Sequence, residues 1–103
     1  MRGHPSISFD VSVHDRVVRV RVSGELALAT RRAFESLLHE FANTQLHVQL
    51  DLSDLAFMDV AGLHALERAT EGKRGRLQIE PDVQPQVRRM LTLTNNERLL
   101  SPV

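Results

Sequence analysis

Leu50-Asp51-Leu52-Ser53-Asp54-Leu55-Ala56-Phe57-Met58-Asp59-Val60-Ala61-Gly62-Leu63-His64-Ala65-Leu66 carries the chain from a strand into a helix, and its reading decides the fold. Leu46, Val48, Leu50 and Leu52 alternate with His47, Gln49 and Asp51. Period two marks a strand with one buried and one wet face. The spacing predicts a turn across Ser53–Met58. A helix follows, built on Leu63, Leu66 and the small Ala61, Ala65 and Ala69. Asp59 stands where a carboxylate accepts N–H groups from the first helical turn, and its charge suits the positive helix end. Gly62 allows another backbone to come close. A phosphate on a neighbouring residue would also be stabilised at such a helix start.

Outward toward the N-terminus, Ile7, Phe9, Val11 and Val13 alternate with Ser8, Asp10 and Ser12, and Val18, Val20 and Val22 alternate with Arg19 and Arg21. These runs predict two antiparallel strands joined by a turn at His14-Asp15-Arg16, with Arg19 and Arg21, like an edge-blunting device, keeping the open face soluble. Met1–Pro5 reads as a frayed leader. Gly24 ends the second strand. Thr30 is expected to cap a helix whose stripe is Phe34, Leu37, Leu38 and Phe41, with Asn43 as its stop. Toward the C-terminus, Gly72-Lys73-Arg74-Gly75 is expected to break the second helix. Gly72–Arg76 then reads as a solvated basic loop, and Leu77 and Ile79 make a short strand. Asp82 is expected to cap a third helix with Pro85 in its first turn and Val83, Val87, Met90 and Leu91 inward. Thr94-Asn95-Asn96 closes that helix, and Leu99-Leu100 packs back. The order is β-β-α-β-α-β-α: one α/β domain over residues 1–103, with a mixed sheet and helices mainly on one face.

The 103 residues are 42% apolar and 25% charged, an ordinary composition for a globular chain. Such a chain buries roughly 60–70% of its unfolded surface, enough for a core without staples. Thirteen basic residues balance thirteen acidic ones, which argues against a nucleic-acid partner, whose phosphates draw a basic excess. With no Trp, no Tyr and four Phe, the chain offers few platforms for stacked bases. No cysteine is present, so disulfides and thiolate chemistry are excluded. No apolar run approaches the roughly 20 residues of a membrane span, and no signal peptide opens the sequence, so a cytoplasmic location is expected. A Gly-x-Ser-x-Gly elbow and a His-Glu-x-x-His pair are absent. A Walker loop would need Gly where Glu67 stands, and Arg74 replaces its Ser or Thr. His4, His14, His39, His47 and His64 show no ligand spacing on one element. A non-catalytic domain without metal or cofactor is the expectation.

The central stretch resembles the signature of the STAS domain, the family of anti-sigma factor antagonists and their relatives. That signature is a strand ending in Asp-Leu-Ser, a hydrophobic-x-Asp step, and Ser-Ser-Gly-Leu or Ser-Ala-Gly-Leu opening a helix. Here it reads Asp51-Leu52-Ser53, Phe57-Met58-Asp59 and Val60-Ala61-Gly62-Leu63. Val20-x-Val22-x-Gly24-Glu25-Leu26 with Ala29-Thr30 resembles the family's Gly-Glu-Leu-Asp loop, and Leu93-Thr94-x-x-x-Arg98-Leu99 resembles its closing segment.

In phosphoregulated members of that family, the serine before the motif glycine is phosphorylated by an anti-sigma factor kinase, and the phosphate forces the two proteins apart. The matching position here is Ala61, preceded by Val60, so neither can carry the phosphate. Ala27 also departs from the aspartate of the family loop. The resemblance implies an anti-sigma factor antagonist that binds a kinase-like anti-sigma factor and is not switched at Ala61. The alternative it implies is an accessory or scaffold subunit of a stress-sensing complex or a lipid-transport ATPase. The expected partner surface is Glu25, Thr30, Ser53, Asp54, Asp59, Val60, Ala61, Gly62 and His64, with Ser53 and Thr30 as the loop hydroxyls open to modification.

Overall fold

A computed structural model of the chain describes residues 5–73 and 76–100. The elements are β1 (Ile7–His14), β2 (Val17–Leu26), α1 (Arg31–His39), β3 (His47–Met58), α2 (Val60–Lys73), β4 (Leu77–Ile79), α3 (Pro85–Leu93) and a closing 3-10 turn (Glu97–Leu100). The four strands lie in the order β1-β2-β3-β4. β1 is antiparallel to β2, and β2–β3 and β3–β4 are parallel. The mixed sheet and the element order are those expected. Met1–His4, the Arg74-Gly75 part of the expected basic loop, and residues 101–103 lie outside the described residues.

Val18, Val20 and Val22 of β2, Val48, Leu50 and Leu52 of β3, and Leu77 and Ile79 of β4 are buried, with Phe34, Leu63, Ala65, Leu66, Val87 and Leu91 from the helices in the same core. Arg19, Arg21 and Gln78, which alternate with them, face outward. Truncating Phe34, which is fully buried, would cost about 3–5 kcal/mol. Leu100 is also buried, so the tail does pack back.

The expected turn across Ser53–Met58 is not there. β3 continues through it to Met58. Its partnering with β2 jumps from Arg21↔Asp51 to Ser23↔Asp54, and again from Gly24↔Leu55 to Glu25↔Phe57. Each jump inserts an extra residue in β3, a bulge that breaks period-two alternation while leaving the strand paired. Leu50, Asp51 and Leu52 are consecutively buried, a pattern that alternation does not describe. β1 and β2 turn through Asp15 and Arg16, both at positive φ (49° and 69°), the form of a two-residue hairpin loop. Gly24, at φ 99°, sits where a Cβ would meet the Ser6 carbonyl oxygen at 2.4 Å. Glycine is the residue that tolerates both.

The helix boundaries carry two corrections. Helix α1 ends at His39, before Asn43. Helix α2 runs through Gly72 and ends at Lys73, within the expected break. Helix α3 is capped at Gln84, not Asp82. Pro85 is its first residue, where the missing N–H costs nothing, and the ring holds Gln84 extended so the helix cannot start earlier. At its other end Thr94 is the C-cap and Asn95 adopts φ 59°, as the expected stop requires.

Beyond the three-residue β4, the outer edge of β3 is open, and α3 closes it with side chains. The Gln86 amide accepts the Met58 N–H at 2.9 Å and donates to the Met58 carbonyl at 3.3 Å, while Gln84 donates to the Ser53 carbonyl at 3.0 Å. A glutamine here plays the part of a neighbouring strand. β2 is interior to the sheet, and Arg19 and Arg21 lie on its exposed face.

Candidate functional site

Asp59 joins three backbone segments. Its Oδ1 accepts the Gly62 N–H at 2.8 Å and its carbonyl accepts the Leu63 N–H at 2.9 Å, which caps α2 as expected. The other oxygen, Oδ2, accepts the Leu28 N–H at 3.1 Å from the loop between β2 and α1. The Asp59 N–H donates to the Leu26 carbonyl at 3.3 Å. One residue thus holds the end of β2 by its N–H, and the following loop and the start of α2 by its carboxylate, whose charge lies at the positive pole of the helix. Gly62 makes this approach possible: a Cβ there would stand 2.0 Å from the Leu26 oxygen.

Leu28 and Val60 flank the clamp and are 66% and 54% exposed. Ala61 is half-buried and Gly62 is buried between them, and His64 is exposed one turn on. Phe57, at the end of β3, is partly exposed as well. Sequence reading missed Leu28. The available signal was an apolar residue in a loop that no strand or helix period claims.

The remaining expected residues divide. Asp54 is exposed and Glu25 half-buried. Thr30 does not offer a contact or modification surface. It is 7% exposed, and its hydroxyl donates to the Glu25 carbonyl at 2.7 Å while accepting the Ala27 N–H at 3.0 Å. It occupies the N-cap position of α1, where its carbonyl accepts the Ala33 N–H at 3.1 Å but its side chain makes no bond to the helix, and the hydroxyl's bonds shape the loop that carries Leu28. Ser53 is half-buried, and its hydroxyl donates to Asp51 Oδ1 at 2.6 Å.

That bond belongs to a second cluster, on the sheet face away from the buried valines. Asp51 Oδ2 accepts from Arg19 at 3.1 Å and Arg21 at 3.2 Å, and Arg19 also donates to both Glu80 oxygens at 3.0 Å. Burial works against the Asp51 charge, but the Ser53 hydroxyl and amide, Arg21 and the Arg19 charge outweigh it and hold its carboxyl below the usual range. Arg19 is correspondingly raised by its hydrogen bond to Glu80 and by the charges of Glu80 and Asp51. Every charge in this cluster has an opposite partner, so it presents no free group to a ligand. An apolar cleft of about 280 Å³ also opens between α1 and α2, lined by Phe34, Leu38, Ala65 and Ala69 and rimmed by Glu35 and Arg68. Arg68 is ion-paired to Glu35. Among the described residues, no three His, Asp or Glu side chains come together as a metal site.

The family profile of the STAS domain matches residues 8–103. The fold is similar to that of an anti-sigma factor antagonist from Mycobacterium paratuberculosis, at 27% identity and a TM-score of 0.77, over 95% of this chain and 87% of that one. It is also similar to unphosphorylated SpoIIAA, an anti-sigma factor antagonist, at 15% identity and a TM-score of 0.73, over 89% and 84% of the two chains. SpoIIAA is a Bacillus cell fate determinant. The murine Slc26a9 anion transporter contains a similar fold, at 15% identity and a TM-score of 0.63, over 86% of this chain and 18% of the transporter. No curated protein matches the chain. No helix among the described residues is long and apolar enough to cross a membrane.

Proposed function

The chain belongs to the STAS domain family, and from that premise we propose that it is an anti-sigma factor antagonist that binds a kinase-like anti-sigma factor in the cytoplasm and is not switched at Ala61. The observation that carries this reading is the Asp59 clamp, which presents Leu28 and Val60 on either side of a helix start with no hydroxyl at positions 60 and 61. Apolar side chains exposed on a rigid backbone suit a protein partner, because little conformational freedom is lost on docking. A phosphate would add a charge of roughly −2 there, and it would do so beside the Asp59 carboxylate. Without an acceptor hydroxyl, this surface stays in its binding form. Sigma-factor-dependent transcription is then controlled by how much antagonist is present. The contact residues are Leu28, Val60, Ala61 and His64, with Glu25 and Asp54 at the rim and Asp59 and Gly62 as positioning residues.

A similar fold also occurs within the Slc26a9 transporter, so the partner decides between regulation and an accessory role. The test is affinity capture from the native host with the wild-type chain and with Ala61→Asp, followed by identification of the retained protein. We expect an anti-sigma factor on the wild type and its loss from a folded Ala61→Asp variant. Retention of a transporter ATPase or a multimeric scaffold in its place overturns the reading.

A further inference from the structure

Among the described residues, β1 has a strand neighbour on one side only. The pairing pattern identifies which of its backbone groups are unused. His14 and Val17 flank the two-residue loop, so they exchange both backbone hydrogen bonds, and bonded pairs recur at every second residue. Ser12↔Arg19, Asp10↔Arg21 and Ser8↔Ser23 therefore face β2, and the Glu25 N–H to Ser6 carbonyl bond at 2.9 Å continues the same series. The N–H and C=O groups of Ile7, Phe9, Val11 and Val13 point outward.

Edge strands are ordinarily blunted by Lys, Pro or a bulge. Ile7–His14 contains no Lys, Arg or Pro, and its register with β2 is unbroken over eight residues. Its one carboxylate, Asp10, is opposite Arg21. On the other face of the strand, Ile7 and Phe9 pack partly on the core, but Val11 and Val13 are 40% and 60% exposed. The helix layer falls short of them. This edge is both unsatisfied and apolar.

We propose that the chain forms a two-fold dimer by antiparallel pairing of β1 with β1 of a second copy, centred on Val11 opposite Val11. An isologous pair keeps each side chain on its own face only in certain registers. Centring on Asp10 would place two carboxylates directly opposite each other, which destabilises a pair. Centring on Phe9 would leave Val13 uncovered. The Val11 register sets Phe9 opposite Val13 of the second copy and Asp10 opposite its Ser12, so the apolar row is covered and no like charges meet. A foreign peptide has no reason to carry that complementary row. Strand pairing alone buries less than the roughly 1,200 Å² of a standard interface, so the dimer is weak and concentration-dependent. The Val11–Val13 end of β1 lies beside Val18–Val20, away from Leu26 and the Asp59 clamp, so both clamps stay open in the dimer.

Sedimentation velocity over micromolar to near-millimolar concentrations, with amide hydrogen exchange on the same samples, tests this. We expect the mass to double with concentration and the amides of Phe9, Val11 and Val13 to gain protection about tenfold or more as it does. Val11→Lys and Val11→Glu should each remain monomeric alone, and an equimolar mixture should recover the dimer. That recovery also shows that both variants fold. A wild-type chain that stays monomeric throughout overturns the proposal. So does a dimer that persists in both variants alone, or one whose odd-numbered β1 amides gain no protection.

Discussion

Asp51 and Asp59 belong to one stretch of chain and do opposite things with a carboxylate. Asp51 lies flat on the open face, nearly buried, and both its oxygens are taken by the side chains of Arg19, Arg21 and Ser53 and by the Ser53 amide. Asp59 bonds only to backbone N–H groups, those of Leu28 and Gly62. The first neutralises a surface, and the second fixes the position of two segments that carry exposed apolar side chains. Bonding to side chains leaves the backbone free to move by rotamer adjustment. Bonding to backbone from two segments does not. On the proposed reading, the helix-start region serves recognition, and the open face serves stability and solubility.

Substitutions separate these roles, beginning with the most severe. Gly62→Val forces a side chain into the Leu26 carbonyl and should cost about 3 kcal/mol or more, seen as a large drop in thermal midpoint or failure to fold. Asp51→Ala removes the acceptor shared by Arg19, which keeps Glu80, and Arg21, both partly solvated, and should cost about 1–3 kcal/mol in denaturant unfolding while leaving partner affinity unchanged. The pH dependence has a definite sign. Because the folded carboxyl is held below its unfolded value of about 4, the unfolded state takes up protons first as pH falls. Asp51 thus stabilises fully above that value and loses its contribution as pH drops through the lowered folded value. Stability measured against pH should show this acid loss in the wild type and a smaller one in Asp51→Asn. If the two profiles coincide, the open-face cluster does not stabilise the fold.

Asp59→Ala should cost about 1–2 kcal/mol of stability and weaken partner binding by roughly tenfold or more. Calorimetry on the purified pair checks both against Asp51→Ala, and equal affinity losses in the two would erase the distinction. Leu28→Ser should change stability by less than about 0.5 kcal/mol and still reduce affinity, since its side chain is mostly in solvent.

The contrast between the two aspartates was only half visible in the sequence. Asp59 could be read because a cap is local: the carboxylate and the N–H it binds are three residues apart, with an apolar helix pattern behind them. Its hold on Leu28 could not, since that bond depends on β2 and β3 lying side by side. Asp51 could be placed on a strand but not in its cluster, because Arg19, Arg21 and Glu80 come from two other segments. The element order was legible from periodicity alone. The extent of β3 was not, because two bulges disrupt the count that reveals a strand. Gln86 gave no signal at all, being an ordinary polar residue on a helix until the short β4 leaves Met58 without a strand neighbour on its outer side.

The arrangement of β1 and β2 has a consequence in time. A hairpin closes in roughly 1–10 μs, whereas the parallel pairing of β2 with β3 must wait for a crossover through α1 and closes a much longer loop. Between those events the chain is expected to hold a two-stranded ribbon with Phe9, Val11, Val18, Val20 and Val22 on one bare side. During synthesis from the N-terminus that interval lengthens to seconds, since the ribosome adds only about 5–20 residues per second. The nascent ribbon is then the stage at which a chaperone has most to cover, and the charged outer face with Arg19 and Arg21 is what keeps it dispersed until β3 emerges.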